Sequence, residues 1–165
     1  HAREHLGAYA RSQASEFEGD YLTLRPSFET AGAIAAYRTV IEWDAAASAL
    51  AFREHNRADS SYSQKGFVSL PLQTGLVHLM TNVSGQMRLA TLRRTISGEM
   101  YGMLSTLHAE RGSTLRPASV AFAMIPLRGA DAAFGAIGAT HSAYPQYRGY
   151  LDRIAAQDFA LFMAK

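Results

Sequence analysis

Short apolar runs ended by Asn, Ser, Gly or Pro recur through the middle of this chain, and apolar residues spaced by three and four appear near its ends. Residues 75–108 (GLVHLMTNVSGQMRLATLRRTISGEMYGMLSTLH) set the pattern. Strands are predicted over 76–81, 87–93 and 99–107, with Asn, Ser and Gly at the breaks between them, which is the hairpin signature. Leu76 and Met80 fall on one face of the first of these strands, Val77 and Leu79 on the other. A sheet with one wet face alternates more cleanly, so this one is expected to be covered on both sides or curled around an interior.

Elsewhere the same logic predicts a strand over 21–25 ended by Pro26, a hairpin of 34–43 and 49–55 joined by a loop opening at Asp44, and a short strand over 66–70 ended by Pro71. In that hairpin Tyr37, Thr39, Ile41 and Trp43 share the expected core face, while Arg38 and Glu42 lie on the opposite, solvated one. The polar stretch 56–65 reads as the longest loop, 109–113 as a turn, and 119–127 as the last strand. Residues 129–138, rich in Gly and Ala, read as a flexible connector, since neither a strand–GxGxxG–helix context nor a Walker lysine accompanies them. Leu6, Tyr9 and Gln13 at helical spacing predict one short helix within 1–16. Tyr147, Leu151, Ile154, Ala155, Phe159 and Phe162 predict a second over 146–164, whose apolar stripe must dock on a sheet, close a barrel end or pair with its copy.

The fold class expected is α+β: a strongly curved antiparallel sheet or open barrel of about seven or eight strands with N- and C-terminal helices. Residues 1–16 read as a helix or linker from a missing upstream domain and 17–165 as a single β-rich domain with a C-terminal helix. The chain of 165 residues is long enough to bury a core, and 48% apolar with 18% charged residues excludes a disordered segment. It begins at His1, not Met, which suggests an excised fragment. With no cysteine there is no disulfide framework, thiolate metal site or cysteine nucleophile, and a reducing, cytoplasmic location is favoured. A net charge of +2 with arginines dispersed among acids predicts no direct nucleic-acid binding by this fragment. No apolar run approaches the roughly 20 residues needed to cross a bilayer, so no membrane partner is expected.

Catalytic signatures are absent: no GxSxG, SxxK or HExxH occurs, and the six histidines show no metal-ligand spacing within one element apart from His1 and His5 at the chain's edge. Neither an enzyme, a metal nor a cofactor is therefore expected. If the sheet curls, its interior is the place for a ligand. Tyr21, Arg25, Tyr37, His78 and Tyr101 each interrupt an otherwise apolar strand and are the candidate polar groups for a small organic effector.

The segments YLTLRPSFETAGAIAAYRTVIEWDAAASALAFRE, QKGFVSLPLQTGLVHLMTN and ISGEMYGMLSTL resemble the C-terminal β-rich domain of bacterial helix-turn-helix regulators of the lambda-repressor-like, xenobiotic-response-element type. The resemblance spans residues 17–127. It implies an effector-sensing and dimerisation domain of a transcription regulator whose DNA-binding helices precede it, and it assigns no functional residue. Regulators of that type read paired half-sites, so a homodimer is expected. Two other classes remain open on the residues alone: a ligand-binding or catalytic protein using the barrel interior, and a structural dimerisation module without a ligand.

Overall fold

In the computed structural model, which describes residues 1–55, 64–83, 85–109 and 114–163, nine strands form one antiparallel sheet. The strands are β1 (Gly19–Pro26), β2 (Ile34–Asp44), β3 (Ala49–His55), β4 (Lys65–Ser69), β5 (Leu76–Val83), β6 (Gln86–Arg94), β7 (Met100–His108), β8 (Arg116–Pro126) and β9 (Gly135–Ile137). Each of the first eight pairs with its neighbours in sequence, and β1 also pairs with β8, Leu24 lying opposite Ala123. The result is a closed, eight-stranded up-and-down barrel. The expected curved sheet is therefore present and fully closed, with a helical element near each end. Most of the predicted loop 56–65 and turn 109–113 lies outside the described residues, as does Ser84 in the turn between β5 and β6.

Period-two alternation decides which side chains face the interior. Tyr21 on β1, Tyr37 and Ile41 on β2, Leu50 and Phe52 on β3, Val68 on β4, Val77 and Leu79 on β5, Leu92 on β6, Met100 and Leu104 on β7, and Phe122 and Met124 on β8 form one buried core. Two interior glycines permit the tight curvature. A Cβ on Gly66 would lie 2.0 Å from the Met80 carbonyl oxygen, and one on Gly102 would lie 1.9 Å from that of Thr91. Neighbouring backbones approach so closely there that no side chain fits.

The N-terminal residues close one end of this barrel. Leu6 and Tyr9 are buried in the core; the Tyr9 hydroxyl donates to the Val68 carbonyl at 2.6 Å and accepts from the Leu50 N–H at 3.0 Å. Leu70 N–H donates to the Leu6 carbonyl at 2.9 Å. This docking breaks the single predicted helix into a 3₁₀ turn at Glu4–Leu6, a four-residue helix α1 (Arg11–Ala14) and a second 3₁₀ turn at Ser15–Phe17. Gly7, at φ 104°, makes the reversal, and a Cβ there would sit 2.3 Å from the Leu70 carbonyl oxygen.

The C-terminal helix α2 (Tyr144–Ala156) lies on the outside of the barrel, where Tyr147, Leu151 and Ile154 pack with Leu22, Leu24, Ala123 and Ile125 in a second core. Of its predicted stripe, Tyr147, Leu151, Ile154 and Phe159 are thus taken up by its own chain, while Ala155 and Phe162 are exposed. The helix ends earlier than the apolar spacing suggested, because Asp158 turns into the left-handed region at φ 56° and Phe159 folds back against Tyr101, ring centroids 4.9 Å apart. The connector 129–138 also acquires structure: β9 adds to the edge of β2, Ile137 opposite Ile34. On the outer face that α2 leaves uncovered, Phe67, Met80 and Leu89 stand in register across β4, β5 and β6.

Candidate functional site

The barrel interior changes character along its axis. The end closed by Leu6 and Tyr9 is apolar, while at the other end Arg25, Thr23, Thr39, Glu54, Gln64, Thr81, Arg88 and Thr106 are buried polar residues. A cavity of about 270 Å³ opens there, walled by Arg25, Tyr37, Gln64, Arg88 and Thr106, by the loop after β1 through Phe28, and by His108 at the end of β7. Gly135 and Ala136 of β9 complete its rim.

Most of these polar groups satisfy one another, as buried groups must. Thr23 and Thr39 hydroxyls meet at 2.6 Å. The Thr81 hydroxyl lies 2.6 Å from the Lys65 carbonyl and 3.2 Å from Gln64 Oε1. Arg88 pairs with Glu54, whose carboxylate also accepts from the Gln64 N–H at 3.1 Å.

Arg25 differs from its neighbours. It is 5% exposed, and its Nη1 donates to the Pro26 carbonyl at 3.1 Å. Its guanidinium carbon lies 4.7 Å from the Phe28 ring centroid and 5.9 Å from that of Tyr37. Cation–π attraction of this kind is worth about 2 kcal/mol when desolvated, well short of the several kcal/mol that desolvating an ion costs. Among the described residues no carboxylate is paired with Arg25, and its Nε is buried without a hydrogen bond. Glu29, an acid among the lining residues, is exposed on the rim. Phe28 in turn stacks on His108, ring centroids 5.1 Å apart, so the two rings form one wall of the mouth.

Of the five residues singled out from sequence, Arg25 and Tyr37 meet in this cavity. Tyr21 faces the interior but near the closed end, where its hydroxyl donates to the Phe17 carbonyl at 2.8 Å and burial raises its pKa. His78 and Tyr101 are outside the barrel. Their parity is the reason: Val77 and Leu79 flank His78 and point inward, and Met100 and Gly102 bracket Tyr101 in the same way. His78 is half-buried on the outer face, its Nδ1 3.2 Å from the Thr91 hydroxyl, and desolvation lowers its pKa. Tyr101 lies under the end of α2. Its hydroxyl accepts from Arg153 at 2.9 Å, and Arg153 also reaches Glu99 at 3.2 Å. Burial first, then the Glu99 carboxylate, push the Tyr101 phenol far above its ordinary range.

Sequence reasoning missed Arg88, Glu54, Thr81 and Thr106. A usable signal existed: each shares the parity of its strand's core residues, Arg88 with Ala90 and Leu92, Thr106 with Leu104. A polar residue in phase with the core is either inside or a break in the strand.

The arrangement supplies binding groups: a guanidinium, hydroxyls, an amide and apolar walls. No cluster of three or more potential metal ligands occurs among the described residues, and none of their helices is long and apolar enough to cross a membrane. No protein-family model, curated protein or solved structure matches this chain.

Proposed function

We propose that this chain is the effector-sensing and dimerisation domain of a bacterial, cytoplasmic transcription regulator, and that the open end of its barrel is the effector pocket. The observation that carries the ligand-binding part is the cavity of about 270 Å³ lined by a buried Arg25 that has no carboxylate partner among the described residues. Eight-stranded barrels have interiors just wide enough to be filled by side chains or to hold one small ligand, and here the described residues leave a cavity at the polar end. The regulatory part draws on the resemblance of residues 17–127 to the C-terminal domains of helix-turn-helix regulators. Dimerisation follows from the paired half-sites such regulators read.

Two features suit a sensor. The pocket rim is built from the loop after β1 and from β9, and α2 bonds to that loop and to the segment leading into β9: the Tyr144 hydroxyl donates to the Gly32 carbonyl at 2.9 Å, and that of Tyr147 to the Ala133 carbonyl at 2.8 Å. Occupancy at the rim is therefore placed to be felt by an external helix.

The test has two arms. A thermal-shift screen of small metabolites should find compounds that raise the melting temperature, as ligands selective for the folded state do. Sedimentation at tens of micromolar, an order-of-magnitude choice above typical obligate-dimer constants, should show a dimer. A screen without a single hit would remove the sensing role, and a monomer would remove the dimerisation role.

A further inference from the structure

We propose, resting on the assignment of the barrel's open end as a ligand site, that its occupant is a small organic monoanion whose carboxylate pairs with Arg25. A guanidinium is taken out of water only where something compensates its charge. Arg88, the other buried arginine of the pocket, has Glu54 on it, with side chains 8% and 5% exposed. Arg25 has two aromatic faces and one backbone carbonyl. Its Nη1 is committed to Pro26, and its Nε is buried without a hydrogen bond among the described residues. The guanidinium is a planar fork of N–H donors, suited to pairing with a carboxylate presented from the cavity.

The charge of the ligand follows from the same inventory. With Arg88 paired to Glu54, Arg25 is the one arginine among the described lining residues without a carboxylate, and Glu29 on the rim opposes a second anionic group near the mouth. A dianion such as a phosphate ester is therefore disfavoured against a monocarboxylate. Size follows from the volume. About 270 Å³ lies just under the roughly 300–1,000 Å³ of sites for drug-sized molecules, so the ligand is a compact acid. Its body would meet Phe28, Tyr37, Ala35, Leu115 and Ala136 along the walls.

The experiment compares matched probes by calorimetry and thermal shift on the whole chain: butyrate and benzoate, the neutral butyramide and benzamide, the cationic butylamine and benzylamine, and inorganic phosphate. The carboxylates should bind, and their affinity should exceed that of the amides by about tenfold or more, as charge-assisted bidentate bonds require. Arg25→Met should erase that preference and Arg25→Lys should weaken it. Should neither variant fold, the wild-type chain still decides the matter: the Arg25 Nε resonance should shift with benzoate and not with benzamide. Equal binding of amides and carboxylates, or preferred binding of amines or phosphate, would overturn the monoanion assignment while leaving the pocket as a ligand site. If no probe of any class binds, the pocket assignment itself falls.

Discussion

Arg88 on β6 places Nη1 3.3 Å from both carboxylate oxygens of Glu54 on β3, although the two strands are separated in the barrel by β4 and β5. The pair therefore bridges the interior and is nearly excluded from solvent. Removing one partner strands the other charge. Glu54→Ala should cost about 3–5 kcal/mol of folding stability by urea denaturation, whereas the double change Glu54→Leu with Arg88→Met should fall close to the wild type. Equal losses in the single and double variants would show that the pair is not the source of the effect.

The interior glycines make a second expectation. Gly102→Ala would place a methyl carbon 1.9 Å from a backbone oxygen of the adjacent strand, where no side chain can swing aside. The strands must separate, and the loss should reach about 1–3 kcal/mol or more, the range for overpacked cores. An unchanged melting temperature would contradict the close approach of β6 and β7.

Docking of α2 is tested by Leu151, which is buried between helix and barrel. Leu151→Ala should cost about 2–5 kcal/mol, and Leu151→Asp should leave no soluble folded chain. If Leu151→Asp instead gave a well-folded monomer, the helix would be dispensable to the barrel.

Stability should depend on pH through His78. Desolvation holds its folded-state pKa below the ordinary value near 6.5, so the unfolded chain binds more protons between the two values. The His78 contribution is complete above about pH 6.5 and is lost progressively as the pH falls toward the folded-state value. Denaturation curves from pH 5 to 8 should show this loss in the wild type and a flatter profile in His78→Gln.

The tyrosines act at the opposite end of the scale. Tyr9, Tyr21, Tyr101 and Tyr147 all have raised phenol pKa values, chiefly through burial. Their contribution is intact below pH 10 and declines as the pH rises above it, because only the unfolded chain then releases these protons readily. Phenolate absorbance should consequently lag in the native chain and appear in step with alkaline unfolding.

The apolar runs over 76–81, 87–93 and 99–107, broken by Asn, Ser and Gly, by themselves pointed to antiparallel strands in a sheet covered on both sides or curled around an interior. The strand pattern also determined that Arg25 and Tyr37 interrupt the strands in phase with core positions such as Tyr21 and Ile41. His78 and Tyr101 interrupt their strands just as visibly, but out of phase with Val77 and Met100, so alternation sends them outward. Interruption was legible, and the side it falls on required the phase. Tertiary structure alone decided the rest. Pairing of β1 with β8 closes the sheet, and this long-range contact between residues 21–24 and 123–126 leaves no local trace. Closure brings Glu54 to Arg88 and, among the described residues, leaves Arg25 without a carboxylate, since which buried charges find partners depends on strand order and register across the interior. Docking of residues 1–17 against Val68 and Leu70 broke a predicted helix, and the backbone reversal at Asp158 ended the other early. In both cases burial of an aromatic ring, Tyr9 or Phe159, outweighed a local helical preference worth only tenths of a kcal/mol per residue.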